Sequence, residues 1–232
     1  MSTKLIFKVD YSKEYWFVKN QYKDARKLIG DERFSYIIKN NISNFDTNNF
    51  NQLQKNVLKY LKGNRIEIQK NLKKQKRILK NKWNKINKRF FTQIEETTHL
   101  KWKYNKYNIY LVHACFWGGD YDPNEPNIYI NPLIKHGDPL YIIFHELSHL
   151  IFWEYIYSKY SKKFIKENED FLWQLSEIMV NYPLLKIKID YEFPLIIPLM
   201  IKNYKRIVNQ FSKKEYLEII ENEVNKKKRQ YK

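Results

Sequence analysis

Hydrophobic and polar positions along this chain change period several times, and each change marks an element. Residues 4–9 alternate enough for a short strand, and residues 11–29 carry aromatic and aliphatic side chains at helical spacing up to Gly30. Residues 40–49 are polar and read as a loop, with Asp46 or Thr47 capping a helix that runs through Leu61 and breaks at Gly63 and Asn64. Leu61, Ile68, Leu72, Leu79, Trp83, Ile86 and Phe90 then recur at intervals of seven, four and three, a narrow apolar stripe that predicts one long helix over 64–91. Residues 107–115, rich in β-branched and aromatic types, predict a strand, and 116–126, with Gly118, Gly119, Pro123 and Pro126, a turn-rich connection. Residues 127–131 alternate, with Ile128 and Ile130 on one face, and predict a second strand antiparallel to the first.

The longest apolar run is 138–153, where Asp138 suits a helix cap and Pro139 a first helical position. A charged connection over 158–169 follows, then a helix over 169–182 capped by Asn168 and stopped by Pro183. Residues 191–198 read as extended, and helices near 199–210 and 212–228 close the pattern without any internal repeat.

Composition modifies this picture in three ways. The 232 residues carry a formal net charge of +18 with 17% aromatic residues, which excludes an acidic or low-hydrophobicity disordered chain. Between residues 55 and 89 there are fourteen Lys or Arg and one acid, Glu67, so the stripe of 64–91 is backed by basic faces. Such a surface attracts nucleic acid or acidic partners, and the plainer alternative is a solvated face; no helix-turn-helix, RRM signature or zinc finger accompanies it. A single cysteine, Cys115, excludes an intramolecular disulfide and a cysteine-based zinc site. The first ten residues lack a secretory apolar core, since Lys8 interrupts them, and 195–201 is too short to span a bilayer, so a cytoplasmic protein without a membrane partner is expected.

Candidate chemistry concentrates in His145-Glu146-Leu147-Ser148-His149, an H-E-x-x-H sequence in a chain with five histidines. Spacing of i, i+4 sets both imidazoles on one helix face, where one zinc ion can bind both. Glu146 stands beside them, placed to take a proton from a water on the metal. The flanks Ile142-Ile143-Phe144 and Leu150-Ile151-Phe152-Trp153 are apolar, so three ionisable groups there are costly unless a metal and one another satisfy them.

Zinc needs a third protein ligand and an open position. A metzincin would place Gly at 152 and His at 155, where this chain has Phe152 and Tyr155. Glu154, five residues past His149, lies about 140° round the helix and points elsewhere. Glu177 is the better candidate, being the only charged residue between Phe171 and Leu185 and lying 28 residues after His149. Asn181, one turn later, is a candidate to hydrogen-bond an imidazole N–H and orient it. Glu167, Glu169 and Asp170 are the fallback ligands, and His99 and His136 read as surface or loop residues.

His145–His149 with Glu177 resembles the gluzincins, the thermolysin-like zinc metallopeptidases, in the compact minigluzincin size. Their glutamate often belongs to an E-x-x-x-D sequence, which here reads Glu177-Ile-Met-Val-Asn181. The resemblance covers roughly residues 100–185. The pattern and the resemblance together predict an α+β protein: a strongly basic, mostly helical N-terminal region, 1–98, read from periodicity and charge alone and without a counterpart in the family, and a zincin-like core, 99–232, implied by the resemblance. That core would hold a small antiparallel sheet, an active-site helix and a glutamate helix, with 127–131 as the edge strand that binds extended substrate. The resemblance implies zinc held by His145, His149 and Glu177, peptide-bond hydrolysis assisted by Glu146, and a peptide or protein substrate. A gluzincin usually adds a His or Tyr that stabilises the oxyanion; His113, Tyr157 and Tyr191 are the candidates, and sequence does not choose among them. The competing expectation is a nucleic-acid-associated or regulatory protein that works through the basic helix 64–91, with a structural or degenerate metal site.

Overall fold

Among the described residues helices dominate and one short sheet interrupts them, so the architecture is mixed α+β. The computed structural model describes residues 3–42, 49–122, 125–134, 138–188 and 204–229. In chain order the elements are β1 (Lys4–Lys8), α1 (Tyr11–Asn20), α2 (Tyr22–Ile29), α3 (Asp31–Asn41), α4 (Phe50–Gly63), α5 (Arg65–Asn84) and α6 (Asn87–Thr98). There follow β2 (Lys106–Leu111), β3 (Gly119–Tyr121), β4 (Asn127–Ile130), α7 (Pro139–Lys159), α8 (Lys162–Glu167), α9 (Glu169–Met179), α10 (Asn181–Lys186), α11 (Tyr204–Val208) and α12 (Tyr216–Arg229).

Two units share these elements. One comprises residues 5–84 and 107–143, the other 1–4, 85–106 and 144–232. In the first, the sheet runs β1-β2-β4-β3. β2 pairs with β4 in parallel, Ile109 opposite Ile128, which corrects the expected antiparallel pair. Residues 112–126 between them are long enough for the crossover that a parallel pair requires. Within that stretch β3 pairs antiparallel to β4, Asp120 opposite Tyr129, so part of the expected connection is a strand. β4 is therefore interior rather than an edge strand, and all four of its residues are buried. Gly118, at φ +112, lets the chain turn into β3.

The expected helix over 11–29 divides at Gln21 into α1 and α2, and Gly30, at φ +88, ends α2. Asp10 caps α1 by accepting the Ser12 N–H at 3.0 Å. Phe17, Tyr22 and Phe34 are buried and pack with Trp117, the Phe17 and Trp117 rings 5.3 Å apart. Glu14 is 1% exposed and accepts the backbone N–H groups of His113 at 2.6 Å and Ala114 at 2.8 Å, fastening the chain beyond β2 to α1. Burial raises its carboxyl to about 7 against the pull of those two bonds. α4 takes its cap from Asn49, whose side chain accepts the Gln52 N–H at 3.2 Å; Asp46 and Thr47 lie outside the described residues. The break at Gly63 and Asn64 is where the pattern placed it.

The expected long helix 64–91 is interrupted after Asn84, and α6 starts at Asn87. Ile68, Leu72, Leu79 and Trp83 are buried on α5 and Phe90 on α6, so the stripe is an inward face in both helices. In the second unit Phe90 stacks on Phe144 at 4.6 Å and Phe91 meets Trp102 edge-on at 5.1 Å. Pro183 does not stop a helix. It is the third residue of α10, where its missing N–H has no helical acceptor to lose, and the break falls earlier, at Val180. Glu223 on α12 is buried and accepts from Arg206 of α11 at 2.7 Å and Lys226 at 2.9 Å. The extended reading of 191–198 and the first residues of the 199–210 helix lie outside the described residues. No helix among the described residues is long and apolar enough to cross a membrane.

Candidate metal centre

α7 starts as its sequence dictates, with Asp138 Oδ1 accepting the Leu140 N–H at 2.8 Å. From Leu140 onward it is apolar on every side, and a helix of that kind survives only when enclosed. Phe144, Leu147, Ile151 and Phe152 are fully buried, and Ser148 meets its hydrogen-bonding need on the Phe144 carbonyl at 2.8 Å. His145 and His149 project from this helix one turn apart. α9 brings Glu177, held in place by the buried Leu172, Leu175, Ile178 and Met179.

These three side chains meet. The Nε2 atoms of His145 and His149 lie 3.0 Å apart, Glu177 Oε2 lies 3.6 Å from His145 Nε2, and Glu177 Oε1 lies 3.5 Å from His149 Nε2. All belong to the second unit. Bonds of about 2.0–2.1 Å at tetrahedral angles put neighbouring zinc ligands about 3.4 Å apart. The imidazole pair lies slightly inside that value and each imidazole faces a different Glu177 oxygen slightly outside it, so the three side chains gather closely enough for one metal ion. No other group of three or more His, Cys, Asp or Glu side chains with metal-ligand spacing occurs among the described residues. The His149 side chain is 2% exposed, against 13% for His145 and 21% for Glu177. The cluster is thus sealed at His149 and reached by solvent only in part, at His145 and Glu177.

Electrostatics agree with this convergence. Burial lowers His149 to about 3, with the Glu177 charge working the other way. Burial also opposes charge on His145, but the hydrogen bond with Glu177 and the charges of Glu146 and Glu177 outweigh it, and its pKa stands above 6.5. Glu177 is likewise desolvated, yet His149 and His145 hold its carboxyl below the usual range. The neutral His149 and the ionised Glu177 are in the forms that bind a metal, whereas His145 would give up its favoured proton on binding.

Glu146 is 7% exposed and close enough to His145 for its charge to act there. Asn181 is buried at the start of α10, and its amide donates to the Glu177 carbonyl at 3.2 Å and the Ile178 carbonyl at 3.3 Å, which ties α10 to the end of α9. The fallback acids Glu167, Glu169 and Asp170 are exposed, and Glu167 pairs with Lys163 at 3.9 Å. Glu154 accepts the Lys103 N–H at 3.2 Å. Tyr157 is 44% exposed, its ring against Trp153. His113 belongs to the first unit, where its Nε2 lies 3.2 Å from the Tyr60 hydroxyl and burial lowers it to about 4. His99 caps α6 in a left-handed conformation, 3.5 Å from Glu215. Tyr191 and His136 lie outside the described residues. Glu14 and Glu223 are buried acids that the sequence pattern did not single out; the only signal for Glu14 was a carboxylate among the aromatic residues of 11–18. No family profile, curated protein or solved structure matches this chain.

Proposed function

We propose that the chain is a zinc-dependent peptidase of gluzincin type, with His145, His149 and Glu177 as ligands and a zincin-like core built on α7 and α9. The observation that carries this reading is the gathering of two imidazole nitrogens 3.0 Å apart with the Glu177 carboxylate oxygens 3.5 and 3.6 Å from them. Two histidines and a glutamate suit zinc, and a group of three protein ligands leaves a fourth position, as in catalytic rather than structural sites. When bound, zinc polarises the scissile carbonyl and lowers the pKa of a water at the open position toward about 7.

The chain's own groups do the rest. Glu146, largely buried, takes a proton from the attacking water and delivers it to the leaving amine. His149 is held neutral by burial, His145 would give up its proton to the incoming metal, and Glu177 supplies the negative charge. The substrate is a peptide or protein.

Glu146→Gln tests this. The variant keeps close to one zinc per chain and loses cleavage of a quenched-fluorescent peptide library by at least a hundredfold, since general acid–base assistance contributes about 10²–10⁴. Cleavage at the wild-type rate would remove Glu146 from the reaction. A purified wild-type protein without zinc would remove the metal centre.

A further inference from the structure

We propose that the outer face of α5, with the pocket at its N-terminal end, binds single-stranded nucleic acid. This inference is independent of the metal centre and concerns the first unit only. On α5 the apolar residues Ile68, Leu72, Leu79 and Trp83 turn inward. Lys70, Lys73, Lys74, Arg77 and Lys80 are exposed, at spacings of three and four that collect them on the opposite face. None of the five takes part in an ion pair among the described residues. Glu67 is the only acid on the helix. A face kept only for solubility carries both signs of charge, interspersed. Beyond Glu67 this one carries a single sign along roughly 15 Å, counted from Lys70 to Lys80 at the helical rise.

The second observation is where the row begins. Arg65, Gln69, Lys73 and Arg77 follow at i, i+4, i+8 and i+12. The first two line an open pocket of about 510 Å³ with Tyr11, Ser12 and Tyr15. The Arg65 guanidinium lies 4.8 Å from the Tyr11 ring centre, and the Tyr11 and Tyr15 rings meet edge-on at 5.3 Å. Asp10 also lines the pocket, but its carboxylate is engaged by the Ser12 N–H at 3.0 Å and hydroxyl at 2.7 Å. Two tyrosine rings, a guanidinium and an amide provide stacking and hydrogen bonding for a planar base, and the cations that follow track a phosphate backbone.

Other polyanions fit less well. A membrane-binding helix directs its apolar face to lipid, whereas that of α5 is buried and its exposed large apolar residues are only Ile66 and Ile78. An acidic peptide has no use for a stacking pocket. In a duplex the bases are paired and stacked already, out of the tyrosines' reach.

The test is fluorescence anisotropy of the full chain with a labelled twenty-nucleotide oligothymidine, from 50 to 200 mM KCl. If Lys70, Lys73, Arg77 and Lys80 neutralise about four phosphates, affinity falls about 50-fold over that range. In Lys73→Ala/Arg77→Ala/Lys80→Ala the same salt step costs only about 3-fold. Tyr15→Ala weakens binding about tenfold with the salt dependence intact, and Tyr15→Phe restores it. Thermal melting of each variant confirms folding. A salt dependence unaltered in the triple variant overturns the proposal. So does duplex of the same sequence bound as tightly as the single strand, or a preference for phosphatidylserine vesicles or polyglutamate. Wild-type affinity in a folded Tyr15→Ala overturns the pocket.

Discussion

Replacing Glu177 with Ala separates a metal centre from a cluster of hydrogen-bonded side chains. The two imidazole nitrogens stand 3.0 Å apart and each has a Glu177 oxygen within 3.6 Å, so a metal enters with a modest adjustment of the carboxylate and its binding free energy appears as stability. At free zinc a hundred times the wild-type Kd, that gain is about 2.7 kcal/mol. Loss of a partner that merely orients a ligand weakens binding about 10–100-fold, so loss of a direct ligand belongs at or beyond the upper end. At a hundredfold weaker binding the same zinc adds only about 0.4 kcal/mol. For a chain of this size the missing stabilisation corresponds to a zinc-induced rise in Tm smaller by about 5–9 °C. Differential scanning fluorimetry with buffered zinc, read as the shift within each protein, cancels whatever the substitution does to the metal-free fold. An equal zinc-induced shift in wild type and Glu177→Ala would refute the ligand assignment.

Two further predictions concern the first unit. Glu14, raised from 4.5 to about 7 by burial, contributes stability that is fully present below pH 4.5 and lost as pH rises through 7. The advantage of wild type over Glu14→Gln in urea denaturation therefore shrinks by about 3 kcal/mol between pH 4.5 and 8, and a gap independent of pH would contradict the assignment. At Gly118 a Cβ would meet Ile142 Cδ1 at 3.5 Å and Ile134 Cδ1 at 3.7 Å, which is ordinary contact, so φ +112 sets the penalty. Gly118→Ala loses about 1–3 kcal/mol in urea denaturation, and a variant as stable as wild type would show that the turn relaxes freely.

Local chemistry made much of the candidate site readable along the chain. The i, i+4 histidines, the flanking apolar residues and the cap at Asp138 all act within a few turns of one helix, so their consequences follow from helical geometry. Glu177 was legible for a related reason, as a lone charge on an apolar helix that would be costly to enclose without a partner. Asn181 reads less directly. Helical spacing places it one turn beyond Glu177, but the chain breaks at Val180, and its amide turns to the carbonyls of Glu177 and Ile178.

Sheet pairing behaved differently. The residues of 107–111 and 127–130 announce strands, but nothing in their alternation says whether two strands run together or opposed. That depends on where residues 112–126 travel, and they double back through β3 before β4 is laid between β2 and β3. The interruption between α5 and α6 has the same origin, since the apolar stripe continues unbroken from Trp83 to Phe90 while the two helices pack into different units. Periodicity reports which face of a segment is buried, because that is a property of neighbouring residues. What buries it, and whether three side chains 28 residues apart share one point in space, depends on contacts distant in sequence.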